Sequence, residues 1–151
     1  MVAPDAAAKQ VAAPCSIEGR DTLMADNARL ARRWFEEVWN QGNASVIDEL
    51  MAPDCVAHGL VGDDGKELAG PAGFKEFHRK FLTDFPGLRI EVADTLADGD
   101  RTAARCLVEG KHGASGKPVS FTGMAIMRWR DGKVTEAWNN FDFDILRQQL
   151  A

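Results

Sequence analysis

Tyrosine is missing from this chain of 151 residues, cysteine occurs only three times, and positive charge runs short of negative. Cys15, Cys55 and Cys106 are odd in number and widely spaced, with no Cys-x-x-Cys pair and no neighbouring histidine pair. Neither a disulfide framework nor a zinc site is signalled, and the set suits a reducing cytoplasm, which is the expected localisation. The formal net charge is −5 and the isoelectric point is near 5.2. No basic cluster interleaves with aromatics, so a nucleic-acid partner is excluded. Apolar runs fall far short of a membrane span, and Asp5 and Lys9 interrupt the stretch where a secretory signal would need apolar continuity. Ser45, Ser115 and Ser120 lack a Gly-x-Ser-x-Gly elbow, and no glycine-rich phosphate loop follows a strand. Serine-nucleophile and nucleotide-dependent chemistry lose their signatures, and no cofactor is implied. His58, His78 and His112 are scattered and make no metal site.

What is present fits one domain, large enough to bury a core without a metal or disulfide. Residues 1–25 read as an N-terminal arm, since their alanines and Pro4 and Pro14 offer little to bury. Within the arm, Ile17-Glu18-Gly19-Arg20 either matches a protease-recognition tetrapeptide of the kind placed in recombinant linkers or arises by chance. The domain proper is expected over 26–151. Asp26 or Asn27 can cap a helix whose Leu30, Ala31, Trp34, Phe35, Val38 and Trp39 recur at helical spacing until Gly42. A second helix is expected from Asn43 through Met51, ended by Pro53. Cys55 to Leu60 reads as a strand, and Gly70-Pro71 opens a third helix with Phe74, Phe77, His78, Phe81 and Leu82 on its buried side, His78 reading also as a surface or boundary residue.

From Leu88 onward the period changes to two. Strands are expected over Leu88 to Val92 and beyond, Arg101 to Lys111, Pro118 to Arg130 and Lys133 to Phe143, with turns at Asp98-Gly99-Asp100 and Asp131-Gly132-Lys133. The fold class is α+β: a cone-shaped, curved, mostly antiparallel sheet roofed by three helices. On the last strand, alternation sets Glu136, Trp138, Asn140 and Asp142 on one face and Asn139, Phe141 and Phe143 on the other. A plain two-residue hairpin turn puts Ala125 opposite Trp138, whereas a bulged one puts it opposite Asn139. Both registers are open at this stage. Glu136 and Arg128 can pair across the hairpin, a contact that supports the sheet.

The order of elements, with Pro53-Asp54-Cys55-Val56-Ala57-His58, Gly70-Pro71-Ala72-Gly73-Phe74, Phe85-Pro86-Gly87-Leu88, Asp98-Gly99-Asp100-Arg101 and Gly132-Lys133-Val134-Thr135-Glu136-Ala137-Trp138, resembles the SnoaL-like polyketide cyclase (ester cyclase) family of the nuclear transport factor two-like superfamily over roughly residues 27 to 151. The resemblance implies a cone holding an apolar ligand, a homodimer, and cofactor-independent aldol-type cyclisation of a hydrophobic carbonyl or polyketide-type compound. An acid on the final strand would serve as base, because a carboxylate desolvated in an apolar cavity has a raised pKa. The missing tyrosine removes the phenol with which related isomerases and dehydratases polarise a carbonyl.

The expected catalytic pair is Asp142 as base and His58 as polar partner, with Trp34, Trp138, Asn139, Met124, Met127 and His112 contacting substrate. Asp142 can equally cap or face solvent beside Asp144, and His58 can equally be satisfied by backbone. If the family's acid maps to position 139, this chain carries an amide that cannot accept a proton at neutral pH. A non-catalytic small-molecule-binding protein is then the alternative.

Overall fold

The computed structural model describes residues 17–151, and the expectations for residues 1–16 of the arm, Cys15 included, lie outside it. Helix α1 (Ile17–Arg33) runs directly into a π-helical stretch, Trp34–Asn40. The helix therefore begins at least nine residues before the expected cap, and Asn27 is a buried residue inside it. In this added length Thr22 Oγ1 donates to Glu18 O at 3.0 Å, and Arg20 reaches Asp98 at 3.5 Å.

The π-stretch has a packing reason. Five-residue spacing brings Trp34 and Trp39 to one side, and both rings meet Phe74 edge-on, at 5.1 and 6.0 Å between centroids. A regular α-turn would set them about 140° apart around the axis, with only one facing Phe74. Asn40 then fastens the end of the stretch to a sheet edge: its Oδ1 accepts from Ile90 N at 2.6 Å and its Nδ2 donates to Ile90 O at 2.8 Å.

Helix α2 (Ser45–Leu50) is shorter than expected because Met51 already belongs to strand β1 (Met51–Val61). Asn43 starts it, accepting from Ser45 N and Oγ. Strand β2 (Glu67–Ala69), too short for a pattern to mark, precedes α3 (Gly70–Asp84). Of the two readings of His78 on α3 the buried one holds: its Nε2 donates to Val38 O at 2.6 Å and ties α3 to the π-stretch. The meander follows as β3 (Arg89–Asp98), β4 (Arg101–Lys111), β5 (Pro118–Arg130) and β6 (Lys133–Phe141). A fourth helix, α4 (Phe143–Leu150), takes the place of the last expected strand residues.

The six strands form one curved sheet in the order β2-β1-β6-β5-β4-β3, antiparallel throughout except for the β1–β6 pair. The fold is α+β as expected, with four helices rather than three among the described residues. The core lies between α1, the π-stretch, α3 and the inner face of the sheet. Cys55 and Cys106 are buried free thiols there, pushed by burial to about 11 and about 12, which makes them poor nucleophiles.

Candidate functional site

The β5–β6 hairpin decides which side chains enter the core. Asp131 and Gly132 both have positive φ, 51° and 76°, as a tight two-residue turn requires. Arg130 pairs with Lys133 and Trp129 with Val134, but Arg128 pairs with Glu136, so Thr135 is an extra residue that bulges out of the ladder. The bulge sets Ala125 opposite Asn139. Beyond it, Ala137, Asn139 and Phe141 face the interior, while Glu136, Trp138 and Asn140 take the outer face.

The interior carries a hollow lined by Trp34, Phe35, Trp39, Met51, Ala57, Leu60, Phe74, Phe77, Phe81, Leu88, Ile90, Val108, Phe121, Met127, Val134, Ala137, Asn139, Phe141 and Phe143. Apart from the indole N–H groups of Trp34 and Trp39, Asn139 brings the one polar side-chain group among them, and the lining contains no carboxylate. Free space for water-sized atoms amounts to about 50 Å³, against the roughly 150 Å³ of an engineered apolar cavity that takes up benzene. A ring-sized ligand must therefore displace lining groups. The half-buried rings Phe77 and Phe81 on α3 and Phe141 and Phe143 at the β6–α4 junction mark the mouth. Phe141 lies on Gly123, where a Cβ would stand only 2.2 Å from its ring, so the missing side chain on β5 makes the ring's berth.

Asn139 is held by the parallel strand: its Nδ2 donates to the backbone carbonyl of His58 at 3.1 Å. Gly59 permits this approach of β1 to β6, since a Cβ there would stand 2.0 Å from the Asn139 carbonyl oxygen.

On the outer face the His58 ring is clamped between two carboxylates, with Nδ1 at 3.0 Å from Glu67 Oε1 and Nε2 at 2.8 Å from Glu136 Oε2. An imidazole that donates from both nitrogens is an imidazolium, and the hydrogen bonds to Glu136 and then Glu67 hold the pKa of His58 above its ordinary value. The bond from His58, with that from Gly59 N, holds the Glu67 carboxyl below its ordinary value. Arg128 completes the chain, reaching Glu136 Oε1 at 3.0 Å as expected from the hairpin. Trp138 stacks on the His58 ring at 5.7 Å, with the Arg128 and Arg101 guanidinium groups over its own ring at 5.4 and 6.0 Å.

Of the residues expected to form the site, Trp34, Met127 and Asn139 line the hollow. The others do not. Trp138 and Met124 lie on the outer face because β-strand alternation opposes them to Asn139 and Met127, and Met124 is 56% exposed against 3% for Met127. His112 sits in the β4–β5 turn, bonded to Ser115 Oγ at 2.8 Å and beside the Phe85 ring. Asp142 is exposed and caps α4, its Oδ1 accepting from Ile145 N at 3.0 Å, which leaves it outside the hollow. His58 contributes its backbone oxygen near the hollow while its ring points away, bonded to carboxylates rather than to backbone. The sequence reading missed Glu67 as a partner of His58 and the aromatic mouth at Phe77, Phe81, Phe141 and Phe143. The dipeptide His58-Gly59 is the one local sign of a close approach. Among the described residues, no three His, Cys, Asp or Glu side chains are arranged to hold a metal ion.

Residues 29–150 match the family model for the SnoaL-like polyketide cyclases. The chain belongs to this family. Solved structures carry the same likeness. A provisionally assigned polyketide cyclase from Bacillus cereus ATCC 10987 is 28% identical, with a TM-score of 0.73 over 83% of this chain and 80% of that one. IdmH from Streptomyces antibioticus, also provisionally assigned as a polyketide cyclase, is 28% identical with a TM-score of 0.73 over 82% and 97% of the two chains. AclR from Streptomyces galilaeus, provisionally assigned as a hydroxylase, is 28% identical with a TM-score of 0.71 over 84% and 85%. No curated protein matches. The family and these neighbours support a small-molecule fold of the cyclase and hydroxylase kind.

Proposed function

We propose that this protein binds a hydrophobic small molecule in the sheet's inner hollow, with Asn139 as the polar anchor, and does not perform acid/base cyclisation there. The observation that carries this reading is a lining of apolar and aromatic side chains that holds one amide and no carboxylate. An amide takes up no proton at neutral pH, so abstraction beside a carbonyl has no base inside the hollow. The two groups able to move protons, Asp142 and His58, are committed elsewhere, one to a helix cap and one to a pair of carboxylates. Acid/base chemistry would need Asp142 to leave α4 and turn inward. Binding needs only the half-buried mouth rings to shift, after which apolar burial supplies about 25 cal/mol per Å².

The outer face suits a second copy of this chain. Leu96, Met124 and Ile126 are exposed there, 72%, 56% and 43%, among arginines and acids of both signs that can answer one another across a two-fold axis. Buried free thiols at Cys55 and Cys106 suit a reducing cytoplasm. Among the described residues, no helix is long and apolar enough to cross a membrane.

A thermal-shift screen with aromatic polyketides, phenols and steroids tests the binding reading. At about 100 times Kd a ligand stabilises the native state by about 2.7 kcal/mol, a Tm rise of about 5–10 °C for a chain of this size. No shift across all three classes contradicts it. Turnover of any of them that is lost in Asp142→Asn would restore the enzymatic reading.

A further inference from the structure

We propose, building on that binding reading, that the hollow selects neutral one- or two-ring ligands that donate a hydrogen bond, through a hydroxyl or N–H, over ligands of the same shape that only accept one. The orientation of the Asn139 amide is settled by its neighbour. The atom 3.1 Å from the His58 carbonyl oxygen must be the nitrogen, because a flipped amide would set two acceptors face to face. Its Oδ1 has no hydrogen-bond donor among the described residues. The anchor offered to a ligand is therefore an acceptor already held in place by β1.

A ligand hydroxyl or ring N–H satisfies that oxygen directly. A ketone gives Oδ1 nothing: it can turn only to the remaining hydrogen of Nδ2 or to the indole N–H of Trp34 or Trp39, and Oδ1 is left without a donor. Charged ligands are disfavoured too, since the lining holds no group of either sign to pair with them. Size follows from the walls: about 50 Å³ of free space is short of a single ring, so a one- or two-ring ligand enters as Phe141 and Phe143 give way, and a larger one would have to displace Trp34, Phe74, Phe121 and Met127 as well.

Three probes of nearly one shape separate the possibilities by isothermal titration at pH 7: 1-naphthol, which donates, 1-tetralone, which only accepts, and naphthalene, which does neither. The expected result is 1-naphthol binding about tenfold or more tighter than 1-tetralone. In Asn139→Leu the 1-naphthol advantage over naphthalene should vanish while naphthalene still binds, which also shows that the variant folds. Equal affinity of wild type for 1-naphthol and 1-tetralone would overturn the donor selectivity and leave the binding reading standing. Failure of all three to bind would remove the binding reading and this inference with it. Undiminished 1-naphthol preference in a folded Asn139→Leu protein would place the selecting group elsewhere and overturn the assignment to Asn139.

Discussion

The two faces of one strand carry opposite chemistry. Along β6, Ala137 and Asn139 look into an apolar hollow, while Glu136 and Trp138, each one residue away, join a chain of ionised groups running Glu67–His58–Glu136–Arg128 across four strands. The titratable groups expected to serve the site lie on the outer face, at a helix cap or in the β4–β5 turn, and the inner face retains a single amide. The same 2-residue period that makes the sheet thus separates proton-moving groups from the apolar hollow. In the binding reading proposed above, the hollow holds the ligand and the outer face holds the sheet, and a matched pair of substitutions across the strand tests that division.

Truncation of the inner wall should have the largest effect. Trp39→Ala removes a buried ring packed against Phe74, Phe77, His78 and Phe81 and should cost about 3–5 kcal/mol in urea denaturation. Trp138→Ala, half-buried outside, should cost less. Equal costs would break the contrast between the faces.

Next come two changes to the hollow itself. Gly123→Ala drives a methyl into the Phe141 ring and its Cα, so a loss of about 1–3 kcal/mol and altered 1-naphthol affinity are expected. Asn139→Asp sets a carboxylate oxygen against the His58 carbonyl in apolar surroundings, with a cost of about 1–3 kcal/mol at neutral pH. Desolvation raises that carboxyl's folded pKa above its unfolded value, so the variant's stability relative to wild type should be highest at low pH and fall as pH rises through the interval between the two. A flat pH dependence of that difference would show the side chain outside the hollow.

Smaller effects belong to the groups outside it. Asp142→Ala should lose about 1 kcal/mol through the α4 cap, seen as a lower Tm, with 1-naphthol affinity unchanged. The smallest is a pH effect at His58, whose pKa is raised by Glu136 first and Glu67 second. Its contribution to stability is fully present below the unfolded value near pH 6.5 and is lost as pH rises through the raised folded value. Comparing wild type with His58→Gln by thermal melts from pH 5 to 9 should show their difference shrinking at the alkaline end. Constant separation would mean that the clamp does not hold an imidazolium.

The meander was legible because apolar alternation in β3 to β6 is a local signal, and the resemblance of five turn and cap motifs placed it in the right family. The hairpin register was not legible. It depends on Thr135 stepping out of the ladder so that Trp129 and Val134 can both be buried, and a threonine that bulges looks in sequence like one that pairs. The direction of the His58 ring depends on β1 lying parallel to β6, a contact between residues 80 apart in the chain with no sign in either segment. The last strand was carried to Phe143, the first residue of α4, because Phe141 and Phe143 continue the period of two, and the Asp142 cap that ends the strand makes sense only once Ile145 N is seen to need an acceptor. Trp34, Met127 and Asn139 line the hollow and Trp138 and Met124 do not, a division that residue type alone carries no sign of while the register is open.

Met127 and Met124 stand three residues apart on β5, one inside the hollow and one outside. Carbon-13 labelling of their ε-methyl groups, with 1-naphthol titrated and the spectra followed by NMR, tests most directly whether the ligand occupies the inner face. The expected result is a saturating shift of the Met127 methyl and of the Asn139 side-chain amide, with Met124 unmoved. Saturating shifts at Met124 and the Trp138 indole with Met127 unmoved would contradict it.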